Sequence, residues 1–388
     1  MHVGVFGGGL QGLEAAYLLK KAGHKVVMLD RRPRAPALGL ADEQFCFDVG
    51  EYTQKEIFSF LRKVDVIVPA MEDMQALATM AKAAKAAGIV FCFDAEAFQI
   101  SSNKILSNQL FERLGLPYPR PWPLCDYPLF VKPACGSGSR GVQVVFQESE
   151  LTEILNSQEQ FQGGLVIEEF VSGPSYSVEV VAVQGEGRAF ATTELNFDEH
   201  YDCNRVLAPC ELNDSDAEEM RKMALKIAAA LNLTGVMDLE TIYTNREFRV
   251  LEIDARLPSQ TPTVVLHATG VNILECLLSA FLQKALIPPT AEKQKAVIYE
   301  HFYFNGHRLS FPGEHAIAES TALFYHTEDF FGADEAITNY RTGEPWLATV
   351  ILSGENREKV WLKRRSMLQK ILAEHHIVSE KILLQEIC

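Results

Sequence analysis

The chain has 388 residues, 36 of them Lys or Arg against 51 Asp or Glu, for a formal net charge of −15, and 47% are hydrophobic. That length suits two or three compact units at the usual ~150 residues each, and the composition excludes wholesale disorder. So negative a surface repels phosphate backbones and anionic lipids, which argues against nucleic acid and membrane partners but still allows one local basic pocket for an anionic ligand.

Residues 2–6 read as a buried strand and 12–22 as a helix closed by Gly23. Strands follow at 25–29, ending at Asp30, then at 64–69 and 89–93, with an Ala-rich helix at 74–87 stopped by Gly88. Strands alternating with helices imply βαβ units and a parallel sheet. That texture ends near residue 95. A helix at 103–114 and a proline-rich connector (Pro117, Pro119, Pro121, Pro123, Pro128) lead to a strand at 129–132, a small-residue loop at 133–141 and a strand at 142–146. A short helix at 151–156 precedes a strand at 165–167. Beyond Ser175 strands dominate, at 176–183, 188–195, 236–243 and 247–253, with a helix at 216–231 between the pairs. Hairpin order suggests an antiparallel sheet. A helix near 273–284, strands at 296–303 and 346–352 and a helix from 355 to about 375 complete the chain. These textures divide it into units at 1–95, 96–181 and 182–388. No apolar stretch approaches the ~20 residues that span a bilayer. The N-terminus shows no basic leader, and the eight cysteines form no Cys-x-x-Cys pair. A cytoplasmic α/β enzyme with reduced thiols is expected.

Gly7-Gly8-Gly9-Leu10-Gln11-Gly12 satisfies G-x-G-x-x-G between a strand and a helix, and Asp30 closes the next strand. The pattern fits a dinucleotide site, with glycines admitting a pyrophosphate and the acid meeting a ribose. The same tight turn is needed wherever a parallel strand feeds a helix closely. An NAD(P)-dependent dehydrogenase is therefore one alternative.

A second set of residues points to phosphate and metal. Lys132 ends an apolar strand and precedes a loop holding Gly136, Ser137, Gly138, Ser139, Arg140 and Gly141. Such a loop can aim successive N–H groups at phosphate oxygens, with the lysine as a point charge, or it can be a surface hairpin. Further on, Asp238 shares a strand face with Glu240, and Glu252 with Asp254. If those strands pair through residues 244–246, three carboxylates converge and call for a cation such as Mg²⁺. Arg256 shares that face and suits an oxyanion or a phosphate. Glu168-Glu169-Phe170-Val171 breaks into Ser172-Gly173-Pro174, an extended run whose backbone can read a purine edge.

Taken in order, Lys104, Lys132 with its loop, residues 168–171, Glu240 and Glu252-Ile253-Asp254-Ala255-Arg256 resemble the ATP-grasp superfamily over essentially the whole chain. The resemblance implies an N-terminal Rossmann-like domain, a central lid domain and a C-terminal domain whose antiparallel sheet carries the metal site. It implies ATP and Mg²⁺ as cofactors. Lys104 and Lys132 would contact the phosphates, Ser137, Gly138, Ser139 and Arg140 would cover them, and Glu168, Glu169, Phe170 and Val171 would hold adenine. Glu240, Glu252 and Asp254 would bind the metal, Asp254 standing where relatives more often carry Asn. Glu179 would replace the ribose acid missing at Ser175. The glycine loop would then serve the acceptor substrate instead of a dinucleotide.

The runs at 7–23, 41–43, 68–72 and 254–262 are most similar to the pyrrolysine-biosynthesis ligases. That resemblance implies joining the carboxylate of 3-methyl-D-ornithine to the ε-amine of L-lysine through an acyl phosphate, with release of ADP and phosphate. Lys132 and Arg256 would be catalytic, the arginine stabilising an oxyanion by on the order of 3–4 kcal/mol. Leu10, Gln11, Glu72, Glu179, Asp238, Arg256 and Ser259 would contact the amino-acid substrates, and Glu179 or Asp238 would promote loss of the amine proton. The alternatives are another ATP-grasp carboxylate–amine ligase or carboxylase, and then the dehydrogenase. Small-molecule partners are expected, without nucleic acid or membrane; family members often form homodimers. His375-His376 reads as a solvated helix cap, residues 31–34 as a solvated loop, Lys363-Arg364-Arg365 as a helix face, and Phe302-Tyr303-Phe304 and Phe330-Phe331 as core.

Overall fold

The computed structural model describes residues 1–50, 54–136, 138–156, 163–287 and 294–375. Its first unit is a five-stranded sheet in the order Glu43–Cys46, Lys25–Asp30, His2–Phe6, Val66–Pro69, Val90–Phe91, parallel throughout. Strand order reverses beside His2–Phe6, and in such sheets the crevice beyond the carboxyl ends of the strands at that switch point receives ligands. Gln11 and Glu72 stand there. The helix after the first strand runs Leu10–Lys21, starting earlier than the expected 12–22, because Gly9 acts as its N-cap.

A three-stranded antiparallel sheet follows, in the order Gln143–Val145, Leu129–Pro133, Leu165–Glu169. The remaining strands build an 11-stranded sheet that begins at its edge with Glu247–Asp254, Gly235–Thr244 and Ser175–Val183. The expected unit boundary at 181/182 falls inside Ser175–Val183, whose residues 175–182 all pair with Gly235–Thr244. The expected strand at 188–195 is two, Glu186–Ala189 and Thr193–Phe197, both paired to Ser175–Val183. Residues 190–192 bulge out between them, and the Phe190 N–H donates to the Glu179 carbonyl at 2.9 Å. Bulges of this kind re-aim side chains beside functional sites.

The largest apolar core does not respect the unit boundaries. Val3, Leu18 and Val68 of the first sheet belong to the same buried cluster as Val181, Val264, Leu277 and Ile351. Leu129, Val131, Val145, Leu151 and Ile154 form a separate small core within the three-stranded unit. Among the described residues no single helix is long and apolar enough to cross a membrane; the bent pair Thr261–Thr269 and Ile273–Leu282 is apolar in composition because most of its side chains are buried. Arg364 lies on the buried face of the C-terminal helix: it is 2% exposed and donates from Nε to Glu300 Oε2 at 2.5 Å and from a terminal nitrogen to Oε1 at 2.7 Å. Burying a guanidinium requires such a partner, and the partner lies far away in sequence.

Candidate active site

A two-residue turn and a bulge together set the register of the acids. Asn245 and Arg246 take φ of 51° and 63°, the left-handed geometry that matches the twist of a tight hairpin. The turn pairs Thr244 with Glu247 and Thr241 with Val250, and a one-residue register shift between Thr241 and Glu240 then places Glu240 opposite Glu252 and Asp238 opposite Asp254. On the other side of the same strand, Ser177 faces Glu240 and Glu179 faces Asp238. Two cross-strand rows result on one sheet face: Ser177, Glu240 and Glu252, then Glu179, Asp238 and Asp254.

The rows carry too much negative charge for their own cations. Lys104 Nζ reaches Glu252 Oε1 at 3.1 Å, and a terminal nitrogen of Arg256 reaches Asp254 Oδ2 at 2.8 Å. Burial lifts Asp238 to about 6 and Glu179 to about 8. Burial first, and neighbouring carboxylates with it, push Glu240 and Asp254 well above the usual carboxylate range. Asp238 Oδ1 and Glu179 Oε2 are buried with no hydrogen-bond partner in the protein. An all-oxygen face with surplus charge and orphaned acceptors fits a hard cation such as Mg²⁺. Among the described residues no three Asp, Glu, His or Cys side chains close into a ready cage. A magnesium that takes its other ligands from phosphate and water needs none.

Two cavities meet at this face. A cleft of about 900 Å³ is lined by the apolar side chains Phe130, Phe170, Ile242 and Leu251 together with Lys104, Lys132, Glu240 and Glu252. A second, of about 660 Å³, holds Asp202, Asp238, Asp254, Arg256, Gln260 and Glu314, and shares Glu240 and Glu252 as a common wall. The first offers an apolar slot for a flat ring and ammonium groups for phosphates. The second offers carboxylates and one guanidinium. Groups held on either side of such a wall are positioned for in-line phosphoryl transfer.

Local structure presents each lysine. Asn103 caps the helix Lys104–Leu114 by accepting from the N–H groups of Ile105 and Leu106, and Lys104 Nζ also donates to the Gly136 carbonyl at 2.8 Å. Burial alone would lower the Lys104 pKa, but Glu252 and Asp254 outweigh it and hold the group charged. Lys132 pairs with Glu168 at 2.7 Å. The Glu169 carboxylate is taken by Arg120, also at 2.7 Å; both glutamates expected at adenine line the cleft, and Glu168 keeps Oε2 buried without a hydrogen-bond partner. Gly138, Ser139 and Arg140 lie over the cleft, with the Ser139 hydroxyl donating to the Tyr201 carbonyl at 2.7 Å and Arg140 to Glu319 at 2.8 Å. Ser137 lies outside the described residues.

The first unit reaches the site through Gln11. Its Nε2 donates to Glu72 Oε1 at 2.9 Å, and that oxygen lies 2.7 Å from Arg256 Nε as an ion pair. Ser259 donates to Glu314 at 3.1 Å and lines the second cavity. Leu10 instead packs against the large core.

Two expectations need correction. Ser175 lines the nucleotide cleft, but Glu179 stands four residues on, roughly 13 Å along the strand, in the row of Asp238 and Asp254; it is no substitute for a ribose acid. The glycine loop is packed tightly against its own neighbours. A Cβ on Gly7 would lie 2.3 Å from the Ala70 carbonyl oxygen, one on Gly12 2.2 Å from that of Gly7, and one on Gly8 2.8 Å from Ala35 Cβ. The Gly8 N–H donates to Asp30 Oδ2 at 2.6 Å, so the acid meant for a ribose binds the loop itself. The glycines serve close backbone packing. Asp202, Gln260, Thr261 and Glu314 were missed as site residues; only Gln260 and Thr261 fall in a run, 254–262, that had attracted attention.

Comparison with known proteins agrees with this geometry. The family described as "Carbamoyl-phosphate synthase L chain, ATP binding domain" matches residues 124–282, and "PylC-like, N-terminal domain" matches 3–92. The 3-methyl-D-ornithine–L-lysine ligase of Methanosarcina barkeri is 35% identical over 92% of this chain and 94% of its own; that of Methanosarcina acetivorans is 34% identical over 94% and 96%. Among solved structures, the biotin carboxylase domain of Hydrogenobacter thermophilus 2-oxoglutarate carboxylase superposes with TM-score 0.73 at 15% identity over 95% of this chain and 89% of that one. The Thermus thermophilus N5-carboxyaminoimidazole ribonucleotide synthetase superposes at 0.69 and 19% identity over 96% and 98%. The structural likenesses show the ATP-grasp fold, and the sequence identity shows more: the chain belongs to the family of the 3-methyl-D-ornithine–L-lysine ligases.

Proposed function

We propose that this protein joins the carboxylate of 3-methyl-D-ornithine to the ε-amine of L-lysine, consuming ATP and releasing ADP and phosphate. The observation that carries the reading is the wall formed by Glu240 and Glu252 between a nucleotide-shaped cleft and an acid-lined pocket holding Arg256. Two cationic amino acids suit a pocket with that surplus of carboxylates, and the relatives named above have that activity in their names.

The γ-phosphoryl group passes to the donor carboxylate, the amine attacks the acyl carbon, and phosphate leaves. Lys104 and Lys132 neutralise the phosphates from the cleft side. Mg²⁺ held by Glu240, Glu252 and Asp254 would draw off charge from the transferring phosphoryl oxygens. Arg256, fixed between Asp254 and Glu72, turns its guanidinium to the donor carboxylate and then to the tetrahedral oxyanion. Asp238 and Glu179, each with an unpartnered oxygen, accept the proton the amine must lose. Gly138 to Arg140, fastened to Tyr201 and Glu319, exclude the water that would hydrolyse an acyl phosphate. The same reading takes 1–95, a lid ending before Ser175, and the remainder as three units, in a cytoplasmic enzyme assembled as a homodimer.

Incubation with ATP, Mg²⁺, L-lysine and 3-methyl-D-ornithine tests it by mass spectrometry. ADP appearing together with the amide is the expected result. ATP turnover that depends on bicarbonate and yields no amide overturns it in favour of a carboxylase.

A further inference from the structure

The mechanism leaves one buried acid of the first unit unused. Glu14 lies in the helix Leu10–Lys21 and is 2% exposed, and no lysine, arginine or histidine pairs with it among the described residues. Its partner is backbone from far along the chain: the Thr263 N–H donates to Glu14 Oε1 at 2.6 Å across 249 residues of sequence. Burying a carboxyl group requires a partner of this kind. Further along the same helix, the Tyr17 hydroxyl lies 2.6 Å from His267 Nε2. Glu14 and Tyr17, three residues apart on one helix face, thus hold the first and last turns of the helix Thr261–Thr269.

The contact at Thr263 completes the N-terminus of that helix. In its first turn Thr261 donates to the Ser259 carbonyl at 2.9 Å, Val264 to the Gln260 carbonyl at 3.3 Å, and Pro262 has no proton to give. Gln260 stands at the N-cap without a side-chain capping bond. Thr263 is fully buried, so without Glu14 its N–H would have no acceptor, a costly state in an interior. What the cap secures is strained. Gln260 has φ of 72° and ψ of −57° and, with the bond from Thr261 to Ser259, makes a positive-φ γ-turn, a rare form for a residue with a side chain. The turn brings Ser259, Gln260 and Thr261 into the wall of the second cavity, where Gln260 Nε2 donates to Glu314 Oε2 at 2.7 Å. The Thr261 hydroxyl also acts on Glu179, lowering a carboxyl that burial raises.

We propose that Glu14 is a positioning residue: reaching across from the first unit, its carboxylate caps the helix Thr261–Thr269 and holds in place the strained turn that shapes the amino-acid pocket. This deepens the reading above and rests on it. Glu14 lines neither cavity and acts through Gln260 and Thr261. An ionised carboxylate suits a helix N-terminus, where the peptide dipoles leave partial positive charge. Among the described residues the titratable groups facing it are two phenols, Tyr17 on its own helix and Tyr299 on the strand Ala296–Phe304. Burial pushes the Glu14 carboxyl up to about 7. The cap therefore changes strength near neutral pH, the anion above that value holding the Thr263 N–H more firmly than the neutral acid below it.

The test follows amide formation by native protein, Glu14→Gln and Glu14→Ala at about pH 6 and about pH 8, either side of the Glu14 carboxyl at about 7. Glutamine keeps an acceptor for Thr263 and removes the charge. At the higher pH it should raise KM for 3-methyl-D-ornithine by about fivefold. At the lower pH, where the native carboxyl is itself protonated, the rise should be under about twofold, and KM for ATP should change at neither. Glu14→Ala strips the acceptor and should raise the same KM by about tenfold or more at both. Asp238 and Glu179 titrate in all three proteins, so they cancel in the ratio of variant to native. Stability separates positioning from mere support. A carboxyl raised on folding loses stability as pH climbs from 4.5 through about 7, and glutamine escapes that loss. At the higher pH Glu14→Gln should therefore melt no lower than native protein while binding its substrate less well. A KM ratio that is the same at both pH values, or KM for ATP rising in step, overturns this inference alone, and Glu14→Gln decides the matter if Glu14→Ala does not fold. Absence of amide with the native protein overturns both it and the proposed function.

Discussion

The large sheet carries two groups of buried charge, organised in opposite ways. At Glu300 a fully buried carboxylate meets Arg205 at 2.9 and 2.5 Å and Arg364 at 2.5 and 2.7 Å. Burial would raise its pKa, but Arg364 and then Arg205 outweigh burial and hold it below the usual range. At Glu240, Asp238 and Asp254 burial raises the carboxylates, and neighbouring carboxylates add to it where Arg256 does not offset them. The first cluster is complete within the protein and lines neither active-site cavity. The second borders two cavities and retains orphaned oxygens. A matched buried charge marks architecture, whereas a surplus of one sign marks a place kept for a ligand.

That contrast can be broken by substitution. Glu252→Ala should reduce amide formation by on the order of 10³-fold while the melting temperature holds or rises, since one of several mutually repelling acids is gone. An active but destabilised variant would place Glu252 with the architectural cluster. Arg364→Met should do the reverse. It leaves Glu300 short of counter-charge and costs about 3–5 kcal/mol of stability in urea unfolding, with kcat/KM per folded molecule unchanged. The smallest effect is expected at a third, half-buried cluster. Burial would raise Glu335, but hydrogen bonds from His326, Lys21 and Tyr17 bring it down to about 2 from the usual 4.5. A carboxylate depressed on folding stabilises fully above its unfolded pKa and loses that contribution as pH falls through the folded one. The stability gap between native protein and Glu335→Gln, under about 1 kcal/mol near neutral pH, should therefore close between pH 4.5 and about 2. A gap that widens on acidification would show the cluster to be unfavourable.

How much of this was legible beforehand depended on whether the cause was local. The helix at 74–87 has its expected bounds because Asp73 caps it and Gly88 ends it at φ 72°. The convergence of Glu240 with Glu252 matches the expected hairpin, but by a different route: the turn is one residue shorter than 244–246, and a bulge between Glu240 and Thr241 restores the shared face. Thr261–Thr269 was not foreseen as a helix: Thr, Val and Pro are poor or neutral helix formers, and burial against the main core defines it. The burial of Arg364 has no local signal, because Glu300 is 64 residues away. Gln260, Asp202 and Glu314 meet only through the tertiary fold, and nothing in the sequence announces a positive φ at a glutamine.

The unequal cores carry a mechanical consequence. Since the first unit shares its apolar interior with the C-terminal sheet, swinging it aside would expose much of what stabilises the molecule. The three-stranded unit keeps Leu129, Val131, Val145, Leu151 and Ile154 to itself and meets the rest through Arg140 with Glu319, Ser139 with Tyr201 and the Phe130 ring against that of Tyr201. Opening for nucleotide exchange therefore falls to that unit, which can tilt as a rigid paddle with its own interior intact, while the amino-acid pocket stays assembled from one turnover to the next.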